Sequence, residues 1–106
     1  MQIKTYNEAK ELFENTRKRK LANNTYLVKT ANGYGVKLYN TVVVEYLDAN
    51  RIRLNTGGWY TVTTFQRIRS HIPFAFRELG FDSQRDMPNS IVVDTRDDYP
   101  NEARRA

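Results

Sequence analysis

The spacing of apolar positions changes twice along the chain. Across residues 6–21, YNEAKELFENTRKRKL, the residues Tyr6, Ala9, Leu12, Phe13 and Thr16 recur at threes and fours. That period puts them on one face of an amphipathic helix. Thr5 and Glu8 have capping-box spacing at its start. Glu8, Glu11 and Glu14 come early and Arg17, Lys18, Arg19 and Lys20 late, an order that suits the helix dipole. Asn23-Asn24 ends the segment.

From residue 25 the period becomes two. TYLVKT, YGVKLY and VVVEYLD read as strands separated by Ala-Asn-Gly and Asn-Thr, and RIRLN follows the turn Asp48-Ala49-Asn50. In RIRLN, Ile52 and Leu54 face one way and Arg51, Arg53 and Asn55 the other. Trp59–Thr63 is expected to add a short strand. Thr63 and Gln66 then have capping-box spacing for a second helix over 64–72, with Phe65, Ile68 and Ile72 on its buried side and Pro73 as its stop. FAFRELGF reads as a helical turn or a short strand, with Gly80 marking a change of direction, and SIVVD reads as a last strand. The pattern predicts an α+β fold: an antiparallel, four- to five-stranded, barrel-like sheet packed by the two helices. Residues 1–95 are expected to form one domain. Residues 96–106 read as a polar, mobile tail that is dispensable for folding.

The length of 106 residues suits one domain, and 40% apolar residues suffice for one core. There is no Cys, which excludes disulfides, thiolate nucleophiles and cysteine-ligated zinc. No stretch has the length of a membrane span or the apolar run of a secretory signal. The net charge of +5 is uneven, with +7 over residues 1–81 and −2 over residues 82–106. A basic body attracts polyanions and makes their binding sensitive to salt.

Candidate chemistry follows from the cations and the aromatics. One cluster is Arg17, Lys18, Arg19 and Lys20; on a helix end these four would fan around the axis and could not all meet one surface. A second group is Arg51, Arg53, Arg67 and Arg69. Arg67 and Arg69 would diverge by about 200° on a helix, so at most one joins the strand pair. Tyr26, Tyr34, Tyr39, Tyr46 and Tyr60 interleave with these residues. Cations with aromatics meet the needs of single-stranded nucleic acid, and equally those of a protein interface. Catalysis has little to build on. His71, the only histidine, falls at the end of the second helix. Glu45, Asp48 and Glu78 are dispersed, and Asp94, Asp97 and Asp98 lie at or in the tail. No catalytic residue, metal ligand or cofactor is expected.

The stretch NTGGWYTVTT holds the only Trp. Gly57 and Gly58 are expected to form a bend with positive φ, turning Trp59 into the core as an anchor for the first helix. The competing reading has the glycine amides facing an anion and Trp59 or Tyr60 stacking on a base. No P-loop spacing is present.

Asn23-Asn24-Thr25, YGVKLYNTVVV, RIRLNTGGWYTVTT and RIRSHIP together resemble a family of small uncharacterised tailed-bacteriophage proteins, over roughly residues 21–73. The shared core runs Asn, Ser or Thr, Gly-Gly-Trp, then Thr-Thr and Arg-Ile. Tyr60 and Phe65 stand where the family often has a basic or polar residue and a Lys, and SIVVD replaces its aromatic finish. The resemblance implies a phage accessory protein in the cytoplasm of the infected bacterial host, with no assigned mechanism. Nucleic-acid binding through Arg17, Lys18, Arg19, Lys20, Arg51, Arg53, Arg67, Arg69 and Tyr60 is the leading expectation. The alternatives are a module that binds a host or phage protein, or itself, and a binder of small anionic nucleotides. No membrane partner is expected, and the sequence sets no oligomeric state.

Overall fold

The computed structural model describes residues 2–81 and 86–96; the expected tail lies, beyond Arg96, outside the described residues. Helix α1 spans Tyr6–Asn15. Strands β1 (Lys20–Ala22), β2 (Thr25–Lys29), β3 (Tyr34–Leu38), β4 (Thr41–Tyr46) and β5 (Arg51–Asn55) follow. Helix α2 (Val62–Ser70), a 3-10 helix (Phe76–Leu79) and strand β6 (Ser90–Asp94) complete the order. The six strands form one antiparallel sheet in the order β1-β2-β3-β4-β5-β6. The expected four to five strands become six, and the sheet is open rather than barrel-like. β1 and β6 are its two edges, so no pairing closes it.

Alternation decides which face is covered. Leu27 pairs with Val36, Val36 with Val44 and Val44 with Leu54, and all four are buried. Tyr34 pairs with Tyr46, and Tyr46 with Ile52, in the adjoining row of the same face. Both helices pack there. Tyr6 and Phe13 of α1 each place a ring 5.5 Å from the ring of Tyr34. At the other end the Tyr46 hydroxyl donates to the carbonyl of His71, just past α2, at 2.5 Å. Phe65 and Ile68 of α2 are fully enclosed. Burying a side chain of this size contributes about 1.5–3 kcal/mol, so this face supplies most of the stabilising area.

The helices differ from expectation at their ends. Thr5 caps α1 by accepting from the Glu8 N–H, as the spacing predicts, and the Glu8 carboxylate accepts from the Lys4 N–H. The helix stops at Asn15, however, because Thr16 is already extended at φ −147°. Asn and Thr are weak helix formers, and the cations after them join the sheet edge. Arg17–Lys20 therefore do not complement the dipole of α1. α2 begins at Val62, capped by Thr61 and not Thr63, with the Thr61 hydroxyl accepting from the Thr64 N–H. Starting there removes the expected strand at Trp59–Thr63. FAFRELGF forms the 3-10 turn, and Gly80 ends it at φ +89°.

His71 is a structural residue. It is buried, and its Nδ1 lies 2.8 Å from the carbonyl of Ile3, to which a neutral ring donates. Burial lowers its pKa from the ordinary 6.5; the Ile3 carbonyl opposes this in part, and nearby Arg67 and Lys4 add to it. The unfolded chain therefore binds this proton more readily than the folded one. The contribution is fully present above about pH 7 and is lost as pH falls through 6.5 toward the lowered folded value. Denaturant unfolding across that range should show wild-type stability falling as acid is added, with a flatter profile for His71→Gln. Parallel profiles for the two proteins would show that His71 does not carry this dependence.

Candidate nucleic-acid interface

The uncovered face of the sheet carries the opposite alternation. Lys20 pairs with Tyr26 and Tyr26 with Lys37, so a cation, a ring and a second cation form a row across β1, β2 and β3. Lys20 is exposed, Tyr26 is 45% exposed and Lys37 is half-buried. A shallow groove along this edge is lined by Arg17–Asn23 and Tyr26. Arg17 and Lys18 are exposed there, whereas Arg19 is partly withdrawn. Its guanidinium lies 3.9 Å from the centre of the Phe13 ring and donates to the Thr16 carbonyl. Of the four clustered cations, Arg17, Lys18 and Lys20 are therefore the more available to a ligand.

The remaining arginines are distributed over the molecule. Arg53 shares the uncovered face, where Glu45 holds its guanidinium at 3.0 Å, and Arg51 pairs with Asp48 at 2.8 Å. The Asn50 N–H first, and then the Arg51 guanidinium, hold the Asp48 carboxyl below the ordinary carboxylate range. Arg67 donates from Nε to the Thr25 hydroxyl at 2.8 Å, which ties α2 to the β1–β2 turn. Arg69 is exposed beside Lys4, Glu8 and Phe74 in a separate depression. The two helical arginines do diverge. Lys37 was not singled out in the sequence, although its position opposite Val36 and Leu38 in YGVKLY already directs it outward.

The Gly-Gly-Trp loop departs from expectation at its central residue. Gly57 and Gly58 do have positive φ, 63° and 86°. The Asn55 carboxamide oxygen accepts from the Gly57 N–H, and the Thr56 hydroxyl accepts from the Gly58 N–H. The Trp59 N–H then donates back to the Thr56 carbonyl at 3.0 Å. This tight turn directs Trp59 outward, and the residue is 63% exposed instead of buried. The core position is already filled by Phe65, whose ring meets that of Tyr60 at 5.7 Å. The Tyr60 hydroxyl donates to the Met87 carbonyl, so Tyr60 fixes the loop and is only in part available for stacking.

Beside Trp59 a cleft of about 440 Å³ opens between the β3–β4 turn and the start of α2. It is lined by Leu38, Tyr39, Asn40, Thr41, Val43, Thr56, Trp59, Thr61, Thr63 and Thr64, with no charged side chain. Tyr39 is 66% exposed and has a left-handed backbone at φ 53°. No group of three or more His, Asp or Glu that could hold a metal occurs among the described residues.

These positions predict opposite outcomes for neighbouring substitutions. A Cβ at Gly57 would lie 2.8 Å from Thr41 Cγ2 with φ at +63°, so Gly57→Ala should cost about 1 kcal/mol or more. Trp59→Ala should leave unfolding within about 1 kcal/mol of wild type, because the ring is mostly in solvent. Urea unfolding of the two variants checks both values. A loss of about 3–5 kcal/mol in Trp59→Ala would mean that the ring is enclosed after all.

No curated protein and no solved structure matches the chain. The model of one family, described as Kyanoviridae Gp96 protein, matches residues 2–87. That span takes in α1, the first five strands, α2 and both surfaces described above. The chain therefore belongs to the Kyanoviridae Gp96 family of phage proteins.

Proposed function

We propose that this protein is a non-enzymatic phage accessory protein that binds single-stranded nucleic acid on the uncovered face of its sheet, in the cytoplasm of the infected host. The observation that carries this reading is the row Lys20–Tyr26–Lys37, with Arg17 and Lys18 beside it. Cations on both sides of an exposed ring provide phosphate neutralisation and a stacking surface within one register of the sheet. A single strand offers both partners at once, whereas a duplex keeps its bases stacked on one another. The +7 charge of residues 1–81 adds long-range attraction. Arg51 and Arg53 extend the basic character, but each already has a carboxylate partner and contributes less. A small anionic nucleotide fits the molecule less well, because the cleft at Trp59 has no Lys or Arg in its lining. The Gly-Gly-Trp string is, on this reading, a family motif that serves the binding surface.

Anisotropy of a labelled single-stranded oligonucleotide, titrated at low and at physiological salt, tests the reading. Binding should be present at low salt, weaken as salt rises and exceed binding to a duplex of equal length. Lys20→Ala with Lys37→Ala should reduce the slope of log K on log salt by about 0.7 for each phosphate that is no longer neutralised. Arg51→Ala with Arg53→Ala should have the smaller effect. Absence of binding to single-stranded DNA and RNA at low salt would reject the reading.

A further inference from the structure

We infer that the cleft beside Trp59 is a nucleobase subsite that receives one unstacked base of the strand held by the basic edge; this rests on the nucleic-acid reading above. The cleft has the size of a small-molecule site, about 440 Å³. Its lining combines two exposed rings, Tyr39 and Trp59, with the apolar side chains of Leu38 and Val43. Every base has a π-face, so rings of this kind accept bases with little regard to sequence.

The polar groups separate a base from other occupants. The Thr61 hydroxyl is engaged with Thr64 in capping α2. That of Thr56 is engaged with Asn89 and the Gly58 N–H. The hydroxyls of Thr41 and Thr63 carry no hydrogen bond among the described residues and remain available to the edge of a base. With no charged side chain in the lining, the part of a ligand that enters is neutral, and its phosphates stay outside.

Continuity supplies the route. Asn23 lines the basic groove. Its neighbour Asn24, in the β1–β2 turn, donates from its carboxamide to the Tyr39 hydroxyl at 3.1 Å, and the Tyr39 N–H donates to the Asn24 carbonyl. Tyr39 therefore stands between the groove and the cleft. Its left-handed backbone belongs to the two-residue turn between β3 and β4 and fixes the ring at the end of the sheet. The strand would pass along Arg17, Lys18 and Lys20, cross Tyr26, round the end of the sheet at the β1–β2 and β3–β4 turns, and place one base past Tyr39 on the side that carries Leu38 and Val43.

Trp59 is the only Trp, so its emission reports this cleft alone. The full chain would be titrated with unlabelled oligothymidylate while emission is followed. In parallel, anisotropy would be measured with labelled oligothymidylate and with a labelled abasic backbone of equal length. Oligothymidylate should quench Trp59. The abasic strand should bind more weakly and leave the emission unchanged. Trp59→Ala should weaken oligothymidylate binding roughly ten- to hundredfold and leave abasic binding unaltered, and Trp59→Phe should restore most of the loss. Anisotropy that rises with no quenching, or a Trp59→Ala variant that binds as wild type, would overturn the subsite and leave the nucleic-acid reading standing. No anisotropy change with either strand would reject the reading and the subsite together. Self-association in sedimentation that Trp59→Ala abolishes would assign the cleft to protein contact and overturn the proposal.

Discussion

Tyr46 is completely buried at the centre of the sheet, and its hydroxyl donates to the carbonyl of His71 at 2.5 Å with that of Ile3 at 3.4 Å. Burial raises its pKa well above the ordinary phenolic value, so the hydroxyl stays a donor. His71 itself turns back to the Ile3 carbonyl. Three segments far apart in sequence thus meet at one polar node within an apolar layer: the approach to α1, the middle of the sheet and the end of α2. Removing one partner would leave buried carbonyls unsatisfied, a cost of about 1–3 kcal/mol each. The node fixes both helices to the Tyr46 face, and the opposite face is left without a helix among the described residues.

That one-sidedness links the fold to the proposed function. Strand alternation alone would permit a sheet covered on both sides, but the outward positions here mix Lys20, Tyr26, Lys37, Glu45 and Arg53 with the smaller Val28, Val42 and Val92, and carry no row of large apolar side chains. Gly35 sits among these valines, paired with Val28. Val42 lies across it, 2.6 Å from where a Cβ would stand, which gives the face a small apolar patch instead of a full layer. The face is thus basic at its β1 edge and lined by small side chains at its centre, which suits an extended ligand rather than a packed helix.

Much of this was legible from period and turn chemistry. RIRLN shows its faces directly because Ile52 and Leu54 are apolar and their neighbours are not, and alternation responds to that; VVVEY does not, since Val43, Val44, Glu45 and Tyr46 are all buried. SIVVD was legible as a strand, and the structure adds its partner, β5. The edge strand Lys20–Ala22 was hidden, since three residues at the end of a basic run show no alternation. The end of α1 differs from expectation because the late cations fit the helix dipole as well as they fit an exposed edge. Trp59 departs from expectation for a different reason. Hydrophobicity favours burial, but hydrogen bonds within Asn55–Trp59 and the start of α2 at Val62 set the direction of the loop. The cleft joins residues 38–43 to 56–64, a proximity that comes from the sheet and helix together and has no local signal. Arg51 and Arg53 lie on the outward side of β5 and Arg67 and Arg69 diverge, as expected; the partner of Arg51, Asp48, is three residues away in the turn, whereas that of Arg53, Glu45, follows only from the register of β4 and β5.

The central claim is that a single strand lies along the uncovered edge and reaches the Trp59 cleft. Amide and indole chemical-shift mapping with oligothymidylate tests it most directly. The account predicts a continuous track of perturbed signals through residues 17–26, Lys37, Tyr39, Thr41, Thr63 and the Trp59 indole N–H, with the exposed side of α1 unchanged. Perturbations gathered on α1 or around Arg69 instead, with the Lys20–Tyr26–Lys37 row and the indole unmoved, would contradict it.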